Sequence, residues 1–481
     1  MDLTEYARHD ALGIADLIAR GEISAREAAL TTMRAVEAVN PRVNAVIETY
    51  DDRIENLDET SLGDGPFRGV PFLIKDVFGH EEGRLVEFGS RLCEGMRVPQ
   101  TTYFGELFRA AGLNIMGRSN APEYSMAGAT ENKLYGATST PWRHGYCAGG
   151  SSGGAAAAVM SGMVPISHGT DIAGSIRIPA SWCGSVGLKT SRGRTSFGPV
   201  MDEGGFGLSI GFAQTKSIRD TAALLDCMSI PQVGDPFLIP KPDRSYAELA
   251  HEPAPRRRVG VSLKPLMGVE VDSEVAAAVR ATATFLADQG HEVIEVDPQF
   301  DGLNAVRDFC NIWFFGLDGR LEGYSAASGH PISHRTLEPV IYALYEHAQD
   351  LRPADFMSAM SALNQARRRL ASIYRDCDIW LGPTTARVSE PHGRYNLGRT
   401  GVTFENYVEE ILAVPAQFTV PHNILGTPAL SLPLAMHSSG LPIGVQLGAP
   451  HAQEHVLLQL GAALEEAMPW ADRVPELHIS R

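Results

Sequence analysis

Residues 148–190 read AGGSSGGAAAAVMSGMVPISHGTDIAGSIRIPASWCGSVGLKT. Glycines clustered about Ser151 and Ser152 let backbone approach a ligand closely and turn peptide N–H groups toward one point, which builds a nest for negative charge. A flexible Gly/Ser linker is rejected, because the cluster runs directly into Ala155–Met160, a strong helix former, and then into a second glycine-bounded serine at Gly174-Ser175. A phosphate-cradling loop lacks support, since Ala155 and Ala156 stand where Lys-Ser/Thr is required. Two overlapping G-x-S-x-G matches, centred on Ser151 and Ser152, raise the nucleophile elbow of an α/β-hydrolase. That elbow needs a preceding buried strand, and PWRHGY at 141–146 does not read as one.

On either side of this stretch the texture is that of an α/β fold. Short apolar runs at Val70–Ile74, Leu113–Met116 and Val259–Val261 alternate with glycines and helical segments, which indicates a largely buried sheet. The clearest β-α-β unit runs from Val259 through a helix over 272–289, closed by Gly290, into Glu292–Val296. Residues 10–40 read as helices packed on the main body, with a capping box at Ser24–Glu27 and a stop at Asn40-Pro41. The 300–360 region is helical in pattern and rich in aromatics, and 386–410 suits a loop or lid. No repeat, low-complexity tract or linker is evident. One domain over 1–481 is expected, with a helical arm over 1–60, a core over 69–200 and the rest of the sheet and helices over 201–481.

The 481 residues are 44% hydrophobic and 20% charged, ample for a large core. A net charge of −16 repels phosphate backbones and anionic lipid, so nucleic acid and membrane surfaces are not expected as partners. The six cysteines lie far apart with no C-x-x-C, and no apolar run reaches the ~18 residues a membrane span needs. A cytoplasmic protein is the expectation.

Taken together, GGSSGG at 149–154, GTDIAGSIR at 169–177, Pro179-Ala180 and Gly187-Leu188-Lys189 resemble the amidase signature family. GVPFLIKD at 69–76, NILGTPALSLP at 423–433 and GLPIGVQ at 440–446 extend the likeness over nearly the whole chain. Within that family the chain looks most like cyclic-dimer hydrolases of 6-aminohexanoate and related aryl acylamidases. Two departures stand out: Ala173 replaces a common glycine, and Lys189-Thr190-Ser191 replaces Lys-Pro-Thr.

The resemblance implies a large mixed β-sheet covered on both faces by helices, and hydrolysis of a carboxamide C–N bond. It implies Ser175 as nucleophile, Ser151 as a bridging serine preceded by a cis peptide, and Lys75 as base. It also implies an oxyanion hole of backbone N–H groups at Ile172, Ala173, Gly174 and Ser175, with Thr170 and Arg177 bracing the turn. Ser125 and Met126 are expected to touch substrate. No metal or organic cofactor is implied, and a homodimer acting on a small-molecule amide is. The physical logic is independent of the likeness: a lysine takes a serine proton only when neutral, so its pKa must fall from ~10.4 toward 7 or 8, and the apolar run before Lys75 supplies the burial.

Three other functions fit the sequence less well. The A subunit of a tRNA-dependent amidotransferase is disfavoured by Pro122–Met126, which departs from the D-E-F-A-M-like segment of such subunits. An α/β-hydrolase esterase would use Ser151 or Ser152 with a histidine base. A catalytically dead binding protein is disfavoured because Lys75, Ser151 and Ser175 are all present. His451 and His455 have helical metal-ligand spacing but no third ligand, so they read as a solvated helix face.

Overall fold

The computed structural model describes residues 1–481. Eleven strands form a single sheet: β1 (Val46–Thr49), β2 (Pro71–Lys75), β3 (Asn114–Ser119), β4 (Ile166–Asp171), β5 (Val186–Lys189), β6 (Ile210–Thr215), β7 (Arg258–Val261), β8 (Glu292–Glu295), β9 (Ile379–Pro383), β10 (Ala429–Met436) and β11 (Pro442–Gly448). Their spatial order is β1-β3-β2-β4-β6-β5-β10-β11-β9-β7-β8. Pairing is mixed: β2 runs parallel to β3 and β4, the strands from β4 through β9 pair antiparallel, and β9, β7 and β8 are parallel again. The central strands are buried throughout, and β2 shows this as a near-continuous apolar run, whereas β4 buries polar and glycine residues at the site.

The β-α-β unit forms as read, with Ser273–Asp288 as its helix, Asp272 as N-cap and Gly290 in the left-handed region after it. The arm needs a correction at its end. Its third helix does not stop at Asn40-Pro41 but runs Ala25–Val43 and closes at Asn44 with φ 55°. Asn40 is the cause. Its carboxamide accepts from the N–H groups of Ala45 and Val46 and donates to the Val46 carbonyl, so it ties the helix end to the sheet-edge strand β1 instead of ending the helix itself. Ser24 does cap the helix by accepting from the Glu27 N–H.

The 386–410 stretch is irregular only as far as Thr403, the chain being helical from Phe404 onward, and the irregular part is pinned. Glu131 accepts from the Gly393 N–H at 3.0 Å and the Asn396 amide at 2.8 Å, and Ser389 donates to the Cys147 carbonyl. His451 lies in a turn ahead of the helix Glu454–Ala467, so the His451/His455 pair never shares a helix face. No group of three or more metal-ligating side chains occurs, and no helix is long and apolar enough to cross a membrane.

Two apolar cores flank the central strands. One lies along the sheet and includes Phe72, Ile74, Ile166 and Ile176. The other joins Met126, Ile172 and Ala173 to the helices Gly302–Phe314 and Leu317–Ser328. The ends of β2 and β4 meet the seam between them.

Candidate active site

β2 and β4 are adjacent and parallel, and their register, Phe72 opposite Ile166 and Leu73 opposite Ser167, carries Lys75 to the level of Gly169 and Thr170. Open α/β sheets place ligand sites at the carboxyl ends of such strands. Between the two strands the chain passes through the serine-rich loop and the helix Gly153–Met160, buried as far as Val159. That helix starts unusually close to the sheet. A Cβ at Gly154 would stand 2.5 Å from both the N and O of Asn120, so only glycine fits. Thr130 holds the loop, donating to the Gly149 carbonyl at 2.8 Å and accepting from the Gly153 N–H at 3.0 Å. The Gly150–Ser151 peptide is cis.

These constraints bring Lys75 onto Ser151 and tie the turn that carries Ser175 to the same loop through its backbone. Lys75 Nζ donates to Ser151 Oγ at 2.7 Å and to Thr170 Oγ1 at 2.7 Å. The Ser152 N–H donates to the Ser175 carbonyl at 3.1 Å, joining the loop that carries Ser151 to the turn that carries Ser175. Lys75 and Ser151 are fully buried, whereas Ser175 keeps 5% exposure and its hydroxyl has no protein partner. Lys75 makes no ion pair. Burial lowers its pKa to about 7, against the raising fields of Asp171 and Asp76. Near neutrality such an amine is partly unprotonated.

The turn 172–175 is shaped by Asp171, which sequence reading passed over although it stands inside the GTD motif. Asp171 accepts from the N–H groups of Gly174 at 2.9 Å and Ile176 at 3.2 Å, and it forms a buried ion pair with Arg177 at 2.9 Å. Arg177 also donates to the Thr419 carbonyl, Gln446 and Asn423. Burial raises the Asp171 pKa, but Arg177 outweighs it and holds the carboxyl down at about 2. The oxyanion expectation is corrected at one position. The Gly174 N–H is engaged by Asp171, while those of Ile172, Ala173 and Ser175 have no partner within the protein. Gly174 matters for another reason: φ is +121°, and a Cβ there would lie 2.6 Å from Thr419 Cβ. Thr419 donates to the Ala173 carbonyl at 2.6 Å, fixing the same turn from outside.

A cleft of about 70 Å³ opens beside Ser151, Thr170 and Ile172. Ser125 and Met126 line it with Phe78, Phe88 and Tyr124, and the 300–360 helices contribute Trp313, Leu317, Arg320 and Tyr324. Phe78, Phe88, Tyr124 and Ser125 all have positive φ, so the wall is built on backbone that non-glycine residues rarely adopt. Asp76 fixes part of it. Buried against Arg118 at 2.7 Å, it accepts from the N–H groups of Glu87 and Gly89 on either side of Phe88.

The Amidase family model matches residues 27–458. The chain belongs to the amidase family. This amidase is 36% identical over 478 residues to 6-aminohexanoate-cyclic-dimer hydrolase of Paenarthrobacter ureafaciens, covering 97% of this chain and 96% of that protein. It is 30% identical over 487 residues to an acylamidase of Rhodococcus erythropolis, covering 98% of each. A solved structure of 6-aminohexanoate cyclic dimer hydrolase superposes with a TM-score of 0.92 at 35% identity, covering 98% of this chain and 99% of that one. The amidase therefore hydrolyses amide C–N bonds on a large mixed sheet covered by helices.

Proposed function

We propose that this amidase works through Ser175, Ser151 and Lys75. Neutral Lys75 takes the Ser151 proton as Ser151 takes that of Ser175, and Ser175 Oγ bonds to the amide carbonyl carbon. The N–H groups of Ile172, Ala173 and Ser175 receive the oxyanion, because they are the unengaged donors of a turn that Asp171 and Thr419 hold rigid. As the C–N bond breaks, the proton on Lys75 returns through Ser151 to the leaving amine. Water then attacks the acyl-Ser175 ester, releasing the carboxylic acid and restoring the hydroxyl.

The observation that carries this reading is the 2.7 Å contact between Lys75 Nζ and Ser151 Oγ, made by a lysine whose burial puts its pKa at about 7. The aromatic and aliphatic cleft wall, with Ser125 and Met126 in it, favours an amide with an apolar body, in keeping with relatives named for a cyclic 6-aminohexanoate dimer and for acylamides. One sheet spanning Val46 to Gly448 supports a single domain. A cytoplasmic homodimer completes the proposal.

A small serine-reactive fluorophosphonate followed by peptide mapping tests the nucleophile without knowledge of the substrate. The expected result is one adduct on Ser175, lost in Lys75→Ala. An adduct on Ser151 or Ser152 that persists in Ser175→Ala overturns the assignment.

A further inference from the structure

We propose that Arg320 forms a carboxylate subsite in the catalytic cleft, so that the preferred substrate is an amide bearing a free carboxylate beyond an apolar spacer. The inference deepens the amidase reading above and rests on it.

Of the fifteen residues lining the cleft, Arg320 is the only one that carries a formal charge near neutrality, and no carboxylate lines the cleft to balance it. The guanidinium makes one hydrogen bond, to the Trp313 carbonyl at 3.1 Å, and no ion pair. Burial weighs against its charge and lowers its pKa, the fields of Tyr324 and Asp318 oppose that only in part, and neither group bonds to it. A guanidinium has five N–H donors in a planar fork, so most of Arg320's donors remain for a ligand, in a geometry that matches a carboxylate. The residue as a whole is exposed while its guanidinium is largely covered by the cleft wall, which places it at the rim where a charged substrate end would be only partly hydrated.

Whole-molecule charge sharpens the point. At −16 this chain repels anions, and a cleft walled by Phe78, Phe88, Tyr124, Met126, Trp313 and Tyr324 has no use for a cation if its substrates are neutral and apolar. A local arginine reverses the field where an anionic group would sit. Trp313 contributes its carbonyl as the anchor and its ring to the wall, so a spacer that packs on the ring leads to the guanidinium.

Two matched series test this in the Ser175→Ala protein by titration calorimetry. One carries the carboxylate on the acyl chain (glutaryl and adipoyl 4-nitroanilides against pentanoyl and hexanoyl). The other carries it on the amine (hexanoyl 4-aminobenzoate against hexanoyl 4-toluidide). The expected result is at least about ten-fold tighter binding of the charged member in one series, weakened by salt. Adding Arg320→Met brings that ratio close to one, and Arg320→Lys retains part of it. Equal binding within both series, a preference that survives Arg320→Met, or no binding of any charged member at millimolar concentration overturns the proposal. Turnover by Ser175→Ala is a separate readout: it sinks the nucleophile assignment and leaves the binding ratio to judge Arg320.

Discussion

Lys75 carries the energetic burden of the site. Holding its pKa at about 7 rather than 10.5 corresponds to a penalty of roughly 4–5 kcal/mol on the ammonium, set by burial and only partly relieved by Asp171 and Asp76. The rate consequence is a kcat/KM that climbs about ten-fold per pH unit below pH 7 and levels above it; a flat profile from pH 5 to 9 would show that Lys75 is not the base. The stability consequence has the opposite flavour. A basic group whose folded pKa is depressed costs stability at neutral pH, and that cost fades as pH rises from about 7 toward 10.5. Lys75→Met should abolish turnover yet raise stability at pH 7 by on the order of 1–3 kcal/mol, after its hydrogen bonds to Ser151 and Thr170 are lost, with the gain shrinking by pH 10. Denaturant titration at the two pH values measures it. Gly174→Ala puts a methyl against Thr419 at a φ of +121°, so fluorophosphonate labelling of Ser175 should slow by at least about 100-fold through the distorted oxyanion turn. Labelling at the parental rate would show that the turn yields without consequence.

At the scale of elements, the turn between β4 and the helix Arg177–Cys183 is held by one buried ion pair, Asp171 with Arg177, whose remaining donors reach Thr419, Asn423 and Gln446. Breaking such a pair leaves an uncompensated buried charge, so Asp171→Asn should cost about 3–5 kcal/mol in denaturant unfolding. It should also flatten the acid limb. Because the Asp171 carboxyl sits at about 2 against an ordinary 3.8, its contribution is present above pH 4 and is lost as pH falls toward 2; a variant with the parental acid limb would refute the assignment. This network marks the limit of what the sequence made legible. Lys75, Ser151 and Ser175 stood out because each sits in a long local motif, and β2, β3 and β7 because the short apolar runs Val70–Ile74, Leu113–Met116 and Val259–Val261 overlap them. Asp171, Asn423 and Gln446 lie inside matched motifs, but their roles depend on contacts between residues some 250 positions apart. The Gly174 N–H was misassigned for the same reason: which donor stays free is decided by a carboxylate whose direction only the fold determines. Asn40-Pro41 misled locally, since the Asn40 side chain joins two elements instead of ending one.

Across the whole molecule, the N-terminal arm is coupled to the site through the sheet rather than lying on it as an accessory. Its third helix packs against the buried helix Gly153–Met160 that follows Ser151, and the Ala45 carbonyl just beyond it accepts from the Asn120 N–H in the strip that Gly154 abuts. The first two helices, Leu3–Ala7 and Ala11–Ala19, are anchored elsewhere. Asp220, buried, accepts from the N–H groups of Ala11 and Leu12 at 2.8 and 2.9 Å, and Lys216 donates to the carbonyls of Ala7 and His9. Burial and Asp10 raise the Asp220 pKa to about 7, and beside the smaller field of Arg219 it is those two N–H groups that favour its charged form. Deleting residues 1–22 takes them away, leaves Lys216 without its carbonyls, and strips the cover given by Ile14 and Leu17, side chains worth about 1.5–3 kcal/mol each when buried. The shortened chain should therefore unfold at a distinctly lower temperature while still labelling at Ser175 in the cold, because the helix Ala25–Val43 remains. Deleting residues 1–44 removes that helix too and should abolish labelling, since nothing then supports the helix after Ser151. If the shorter deletion left the thermal midpoint unchanged, or the longer one still labelled at the parental rate, the arm would be dispensable and its coupling to the catalytic seam refuted.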